Sequence, residues 1–276
     1  MSLAHREGDL LRLYRPLAMS ALLVVAILGA TSGASAAPRA DKSSTNGYDI
    51  GWPQCSAAYP LYPAFGIVGV NRGIVFSPNP CLSSEIAWAG GATAQLYANT
   101  GNPGPALSTH WPDGQLSPAA CNPSQSTALT DRDTFACAYD YGYNAAADSY
   151  NDAVQAFASL GLTTSTPAAS AWWFDVETSN SWRGAVDLNV ATLQGAAFYL
   201  SSVGVPNSNI GFYSTQYQWN VITGGNTSFG AFKSWVAGAG STGEAGGKCF
   251  GTGFTGGGVA LAQYPLRGFD ADLRCN

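Results

Sequence analysis

The sequence has 276 residues and a formal net charge of −5; 46% are apolar, 12% aromatic and only 11% charged. That length supports one large domain with a sizeable core, or two small ones. The acidic balance and the lack of a basic run exclude nucleic acid as a natural partner, and a low-charge chain rich in Gly and aromatics suits a neutral polar ligand such as a sugar.

The first 36 residues read as a secretory signal peptide. Arg6, Arg12 and Arg15 precede an apolar run over 17–28, and Ala34-Ser35-Ala36 forms an A-x-A cleavage signal. An uncleaved membrane anchor is the alternative, but the run is shorter than the about 20 residues a bilayer span needs. A secreted, extracellular protein is expected, with no stable membrane insertion after cleavage. Residues 37–46 read as a short linker and 47–276 as the folded domain.

From residue 47 strands and helices alternate. Strands are expected at 47–50, 65–71 and 92–99, with a helix at 82–90 between the last two. A loop rich in Pro, Ser and Gly continues to about residue 130. A helical pattern over 134–160 places Ala145, Ala146, Tyr150, Ala153, Val154 and Phe157 on one side. A fourth strand follows at 171–177, a helix at 188–203, a strand at 210–214 and a short helix at 216–222. A strand at 234–239, a glycine-rich loop at 240–258 and strands at 259–264 and 268–273 complete the chain. This alternation argues for a parallel sheet. Seven or eight strands suit an α/β fold of the irregular, TIM-like β/α-barrel kind, a single domain with disulfides. An open doubly wound sheet is the alternative, but no G-x-G-x-x-G follows the first strand.

The fourth strand, Ala171-Trp172-Trp173-Phe174-Asp175-Val176-Glu177, is apolar until it ends in two carboxylates. Side chains alternate along a strand, so Asp175 and Glu177 share a face with their stems roughly 7 Å apart. Two acids there repel each other and resist burial. Glycoside hydrolysis uses such a pair, one protonated and one ionised. The residue furthest into the apolar mouth should keep the proton and its neighbour should carry the charge.

In a β/α barrel the site forms at the C-terminal strand ends. Asp49 lies near the end of strand one, and Asp270 and Asp272 lie on or after the last strand. Trp52, Tyr97, Trp182, Tyr213, Trp235 and Tyr264 cluster at the same ends and offer faces on which sugars stack.

Cys55, Cys81, Cys121, Cys137, Cys249 and Cys275 are an even count in an exported chain, which implies disulfides. Pairing of neighbours in sequence, Cys55–Cys81, Cys121–Cys137 and Cys249–Cys275, is favoured because each clips one loop. After the leader, His110 is the single histidine and sits in a loop-like stretch. A multi-histidine metal site has no ligands to use. No metal or cofactor is expected, and the domain is expected to be a monomer.

Several motifs together resemble the family 25 glycoside hydrolases, the muramidases of bacteria and phages, and their glycoside-hydrolase-like relatives in actinobacteria. These are Gly47-Tyr48-Asp49-Ile50-Gly51-Trp52-Pro53-Gln54, Asp175-Val176-Glu177, Gly211-Phe212-Tyr213-Ser214-Thr215, Trp235-Val236-Ala237, Ala262-Gln263-Tyr264 and Phe269-Asp270-Ala271-Asp272. They span almost the whole chain after the leader in the right order. The resemblance implies an irregular β/α barrel that cleaves the β-1,4 bond between N-acetylmuramic acid and N-acetylglucosamine of peptidoglycan. It implies Glu177 as general acid, and Asp175 orienting the 2-acetamido group or stabilising the oxocarbenium-like centre. Asp49 and Asp270 would position substrate. Trp52, Gln54, Tyr97, Tyr213, Trp235, Gln263 and Tyr264 would bind it. Three positions depart from the pattern: Gly51 stands for a Ser, Ala262 for a Trp, and Tyr97-Ala98-Asn99 for a Tyr-His pair. A barrel that binds cell-wall glycan without cleaving it is the alternative.

Overall fold

The computed structural model describes residues 46–55 and 57–275. The signal peptide expected over 1–36 and the linker as far as residue 45 lie outside the described residues, and Asn46 already opens the first strand. Eight strands close into one barrel in chain order. They are β1 (Asn46–Ile50), β2 (Gly66–Gly69), β3 (Gln95–Asn99), β4 (Trp172–Asp175), β5 (Ile210–Ser214), β6 (Lys233–Val236), β7 (Val259–Leu266) and β8 (Phe269–Arg274). The helices are α1 (Leu82–Trp88), α2 (Leu129–Arg132), α3 (Phe135–Ser159), α4 (Thr166–Ala169), α5 (Val186–Ser202), α6 (Gln216–Thr223) and α7 (Thr242–Lys248).

Strands β1 to β7 run parallel. β8 departs from the parallel expectation and pairs antiparallel with both β7 and β1. Only Arg267 and Gly268 separate β7 from β8, and both have positive φ, 54° and 83°. A two-residue loop with that twist makes a hairpin, whereas a parallel return needs a crossover of a dozen residues. The reversal puts the start of β8 at the barrel mouth. Asp270 lies opposite Asp49 there, and Asp272 lies deeper, opposite Gly47 and Gln263.

β4 shows how the sequence builds the two layers. All four of its residues are buried, as expected for a strand covered on both faces. Trp172 points outward and stacks on Tyr150 of α3, with centroids 5.8 Å apart. Trp173 points inward, meets Trp235 edge-on at 5.8 Å, and donates its indole N–H to Gln95 Oε1 at 2.9 Å. Ile67, Trp173, Trp235 and Leu261 fill the barrel interior. The larger outer core lies between the sheet and α1, α3, α5 and α6.

Helices α3 and α5 approach closely through two glycines. A Cβ on Gly142 would lie 1.9 Å from the Thr192 carbonyl oxygen, and one on Gly195 would lie 1.9 Å from that of Tyr139. Both obstacles are backbone, so neither yields cheaply. Gly142→Ala is expected to destabilise the fold by about 3 kcal/mol through overpacking, despite alanine's better helix propensity. A denaturant midpoint at or above that of the parent would refute the close approach.

The stretch 240–258, read as a loop, contains α7 despite its glycines. Ser241 Oγ accepts from Glu244 N at 3.3 Å, and Glu244 Oε2 accepts from Gly240 N at 2.7 Å. This reciprocal capping starts the helix where propensity alone does not. Disulfides join Cys55 to Cys81, Cys121 to Cys137 and Cys249 to Cys275. The second fastens the long loop after β3 to α3.

Candidate active site

The inward-facing residues at the strand ends meet in a cleft of about 230 Å³. β1 supplies Asp49, β3 supplies Tyr97 and Asn99, and β4 supplies Asp175 with Glu177 just beyond it. Tyr213, Trp235, Gln263 and Asp270 come from β5 to β8, and Trp52 stands at the rim. Nine residues singled out from the sequence therefore share one cleft: Asp49, Trp52, Tyr97, Asp175, Glu177, Tyr213, Trp235, Gln263 and Asp270.

Three others do not line it, and one of them, Trp182, packs against the outer core instead. Tyr264 is 2% exposed and packs among Ala239, Ala245, Ala262 and Ala271. Strand alternation decides this: Gln263 faces the barrel interior, so Tyr264 faces outward. Gln54 folds back within its own turn, where Oε1 accepts from Gly51 N at 2.9 Å. Trp235 forms the floor rather than an open platform, because it is 2% exposed. Trp52, 43% exposed, keeps a face available at the rim.

The departures from the family pattern have local causes. A Cβ on Gly51 would lie 2.6 Å from the Tyr97 hydroxyl oxygen, and one on Gly69 would lie 2.7 Å from it. A serine at 51 has no room while Tyr97 occupies this space. Ala262 is fully buried beneath α7, where a tryptophan would displace its neighbours.

The acids form two groups. Asp175 is 4% exposed. Its Oδ2 accepts from Asn99 Nδ2, while Oδ1 has no partner. Burial holds this carboxyl well above the usual range; the charge of Glu177 adds to the shift and that of Asp49 adds further, against a lowering hydrogen bond from Asn180. Glu177 is half-buried at the mouth and accepts from Gln218 Nε2 at 3.4 Å. Gln218 is itself fixed by Thr178, whose N and Oγ1 donate to its Oε1 at 2.6 and 3.0 Å. Asp175, not Glu177, is thus the deeper member of the pair.

In the second group, Tyr213 donates to Gln263 Oε1 at 2.8 Å, and Gln263 Nε2 donates to Asp49 Oδ2 at 3.0 Å. Burial and the charge of Asp270 push Asp49 up to about 7, against lowering bonds from Gln263 and Asp272. Asp272 is wholly buried. Its Oδ1 accepts from Trp235 Nε1 at 2.8 Å, and its carboxyl shares a hydrogen bond with that of Asp49. Burial, then the charge of Asp49, hold it well above the usual range.

Asn99 and Gln218 were not among the expected site residues, and Asp272, placed with the strand-end acids, was given no role there. Asp272 and Asn99 were open to the i, i+2 argument, from Asp270 and Tyr97 respectively. Gln218 sits on α6 and no motif marks it. Among the described residues no group of three or more His, Cys, Asp or Glu is arranged to hold a metal ion.

An aromatic-rimmed cleft holding a carboxyl pair at the C-terminal mouth of a β/α barrel defines the class of site. The known proteins to which the chain is similar carry the names of lysozymes and muramidases. Residues 145–248, which include Asp175, Glu177, Tyr213 and Trp235, match the family model described as Lysozyme-like protein 1. The chain is 40% identical over 65 residues to a probable GH family 25 lysozyme 4 of Dictyostelium discoideum; the match covers 24% of this chain and 29% of that protein. The chain thus spans under a third of the curated relative's length. The muramidases of Trichobolus zukalii and Acremonium alcalophilum superpose with TM-scores of 0.49 and 0.48 at 15% identity, each over 84% of this chain and 93% of theirs.

Proposed function

We propose that the protein is a secreted, monomeric glycosidase that cleaves the β-1,4 bond between N-acetylmuramic acid and N-acetylglucosamine in peptidoglycan. The observation that carries this reading is the Asp175–Glu177 pair, one carboxyl buried and one at the mouth, beneath the exposed Trp52. The three disulfides and the leader-like N-terminus support an extracellular setting.

The free site and the working site differ in where the proton sits. Without substrate, Asp175 has the raised affinity for it. An acetamido N–H donated to the unpartnered Asp175 Oδ1 favours the ionised form of that carboxyl. The proton of the pair then resides on Glu177, which faces the glycosidic oxygen. As the C1–O bond breaks, Glu177 gives this proton to the leaving oxygen. The acetamido oxygen, oriented by Asp175, closes on C1. Water then opens that bond at C1, and the Glu177 carboxylate takes a proton from the water. Asp49, held by Gln263 and Tyr213, and Asp270 at the mouth hold the sugar over the pair.

Incubation of the purified protein with peptidoglycan should release muropeptides ending in reducing N-acetylmuramic acid, read by mass spectrometry. Reducing N-acetylglucosamine ends would reassign the bond cleaved. Glycan binding with no products would leave the cleft as a binding module.

A further inference from the structure

A second cleft of about 420 Å³ opens beside the first and shares Gly73 with it. Its walls come from the loop after β2, the long loop after β3, Tyr141 of α3 and residues 179–181. Two of its lining residues bond the catalytic strand directly. Thr100 Oγ1 donates to the Asp175 carbonyl oxygen at 2.5 Å, and Asn180 Nδ2 donates to it at 3.3 Å.

We propose that this groove binds the short peptide that peptidoglycan carries on muramic acid, beside the bond cleaved in the main cleft. The inference rests on the muramidase reading and extends it to what the polymer carries besides sugar.

Three observations support a peptide. The first is charge. The main cleft is lined by Asp49, Asp175, Glu177 and Asp270, whereas no carboxylate lines the groove and His110 is its single ionisable nitrogen. Asp148 on α3 interacts with His110 but does not line the groove. Peptide carboxylates are repelled by the acidic cleft and accepted here.

The second is surface chemistry. Ile74 is 65% exposed and Leu107 is 82% exposed, on separate loops of the same groove. They suit the methyl side chains of alanine, and Ser108, Thr109 and Ser181 suit peptide amides. Two aromatic faces that a sugar would use are already covered. Phe76 stacks on His110 with centroids 4.3 Å apart, and Tyr141 stacks on Trp111 at 5.0 Å.

The third is preorganisation. The loop carrying Leu107 and His110 is fastened to α3 by Cys121–Cys137 and by Ala119 N donating to Asp140 Oδ1 at 2.9 Å. Trp111 donates to the Arg132 carbonyl at 2.8 Å and lies under Arg183, itself paired with Asp133. Phe76 holds φ at 60°, a conformation uncommon without glycine and frequent where a ligand is clamped. A wall fixed in advance loses little freedom on binding.

The test measures affinity, so it does not depend on turnover. Titration calorimetry on the Glu177→Gln protein would compare N-acetylmuramic acid with the same sugar bearing L-Ala-γ-D-Glu-diaminopimelic acid. The peptide-bearing ligand is expected to bind about tenfold more tightly. Leu107→Asp and His110→Ala, added separately to that protein, should bring the ratio toward one. A ratio of one before either change, or one that neither change alters, would overturn the groove while leaving the muramidase reading intact. A tenfold ratio in a protein that releases no muropeptides would keep the groove and reject the enzyme. Failure of both ligands to bind would reject the site and the groove together.

Discussion

Glu177→Gln is expected to lower muropeptide release by about 10³-fold, within the usual range for removing a general acid. The fold should survive, because Glu177 is half-buried and holds one long bond, to Gln218. Glutamine keeps the shape but has no proton to give to the leaving oxygen. A second readout separates this role from a merely structural one. The charge of Glu177 helps to raise Asp175, so its removal should move the Asp175 titration downward, visible by carbon NMR of the labelled carboxyl. Asp175→Asn should also lose activity, but through a different route: asparagine still accepts the acetamido N–H yet has no charge to stabilise the centre at C1. Turnover of Glu177→Gln at the parental rate on a verified substrate would end the mechanism.

The parts of this site that follow a simple period were legible in the sequence. The apolar run ending in Asp175 and Glu177 needed only strand alternation, and the strand-end rule of barrels brought Asp49 and Asp270 toward it. Where the inference failed, a local feature was overlooked or competed. Tyr264 was grouped with Gln263 by motif, although neighbouring residues on a strand face opposite ways. Gln54 was expected at substrate but is taken up by the turn it caps. Arg267-Gly268 is too short for a crossover, and reading it as a hairpin would have reversed β8 and moved Asp272 into the interior beside Asp49. The order of the carboxyls is set by tertiary structure rather than by strand period. Which acid lies deeper depends on where β4 stops, and the strand ends at Asp175 rather than at Glu177.

Asp272→Asn is expected to flatten the dependence of stability on pH. Asp272, Asp49 and Asp175 all have raised affinities for protons in the folded chain, while in the unfolded chain such carboxyls titrate near 3.8. From about pH 4 upward the native state therefore binds more protons than the unfolded state, and stability falls as pH rises. The stabilisation is fully present below the unfolded value and is lost as pH rises through the folded values, with Asp49 crossing at about 7. Asp272 is the sharpest contributor because it is wholly buried beside Asp49, and ionising it sets two charges together in the barrel interior. Asparagine keeps an oxygen for the Trp235 indole, offers Asp49 an amide N–H, and has no charge to develop. Thermal melts of parent and variant across pH 4 to 8 should coincide at the acid end and diverge with pH, the variant melting roughly 3–6 °C higher at pH 8. Parallel curves would show that the proton held in the barrel interior belongs to another residue. A variant less stable at every pH would show that the carboxyl is needed for its shape and hydrogen bonds rather than for its proton.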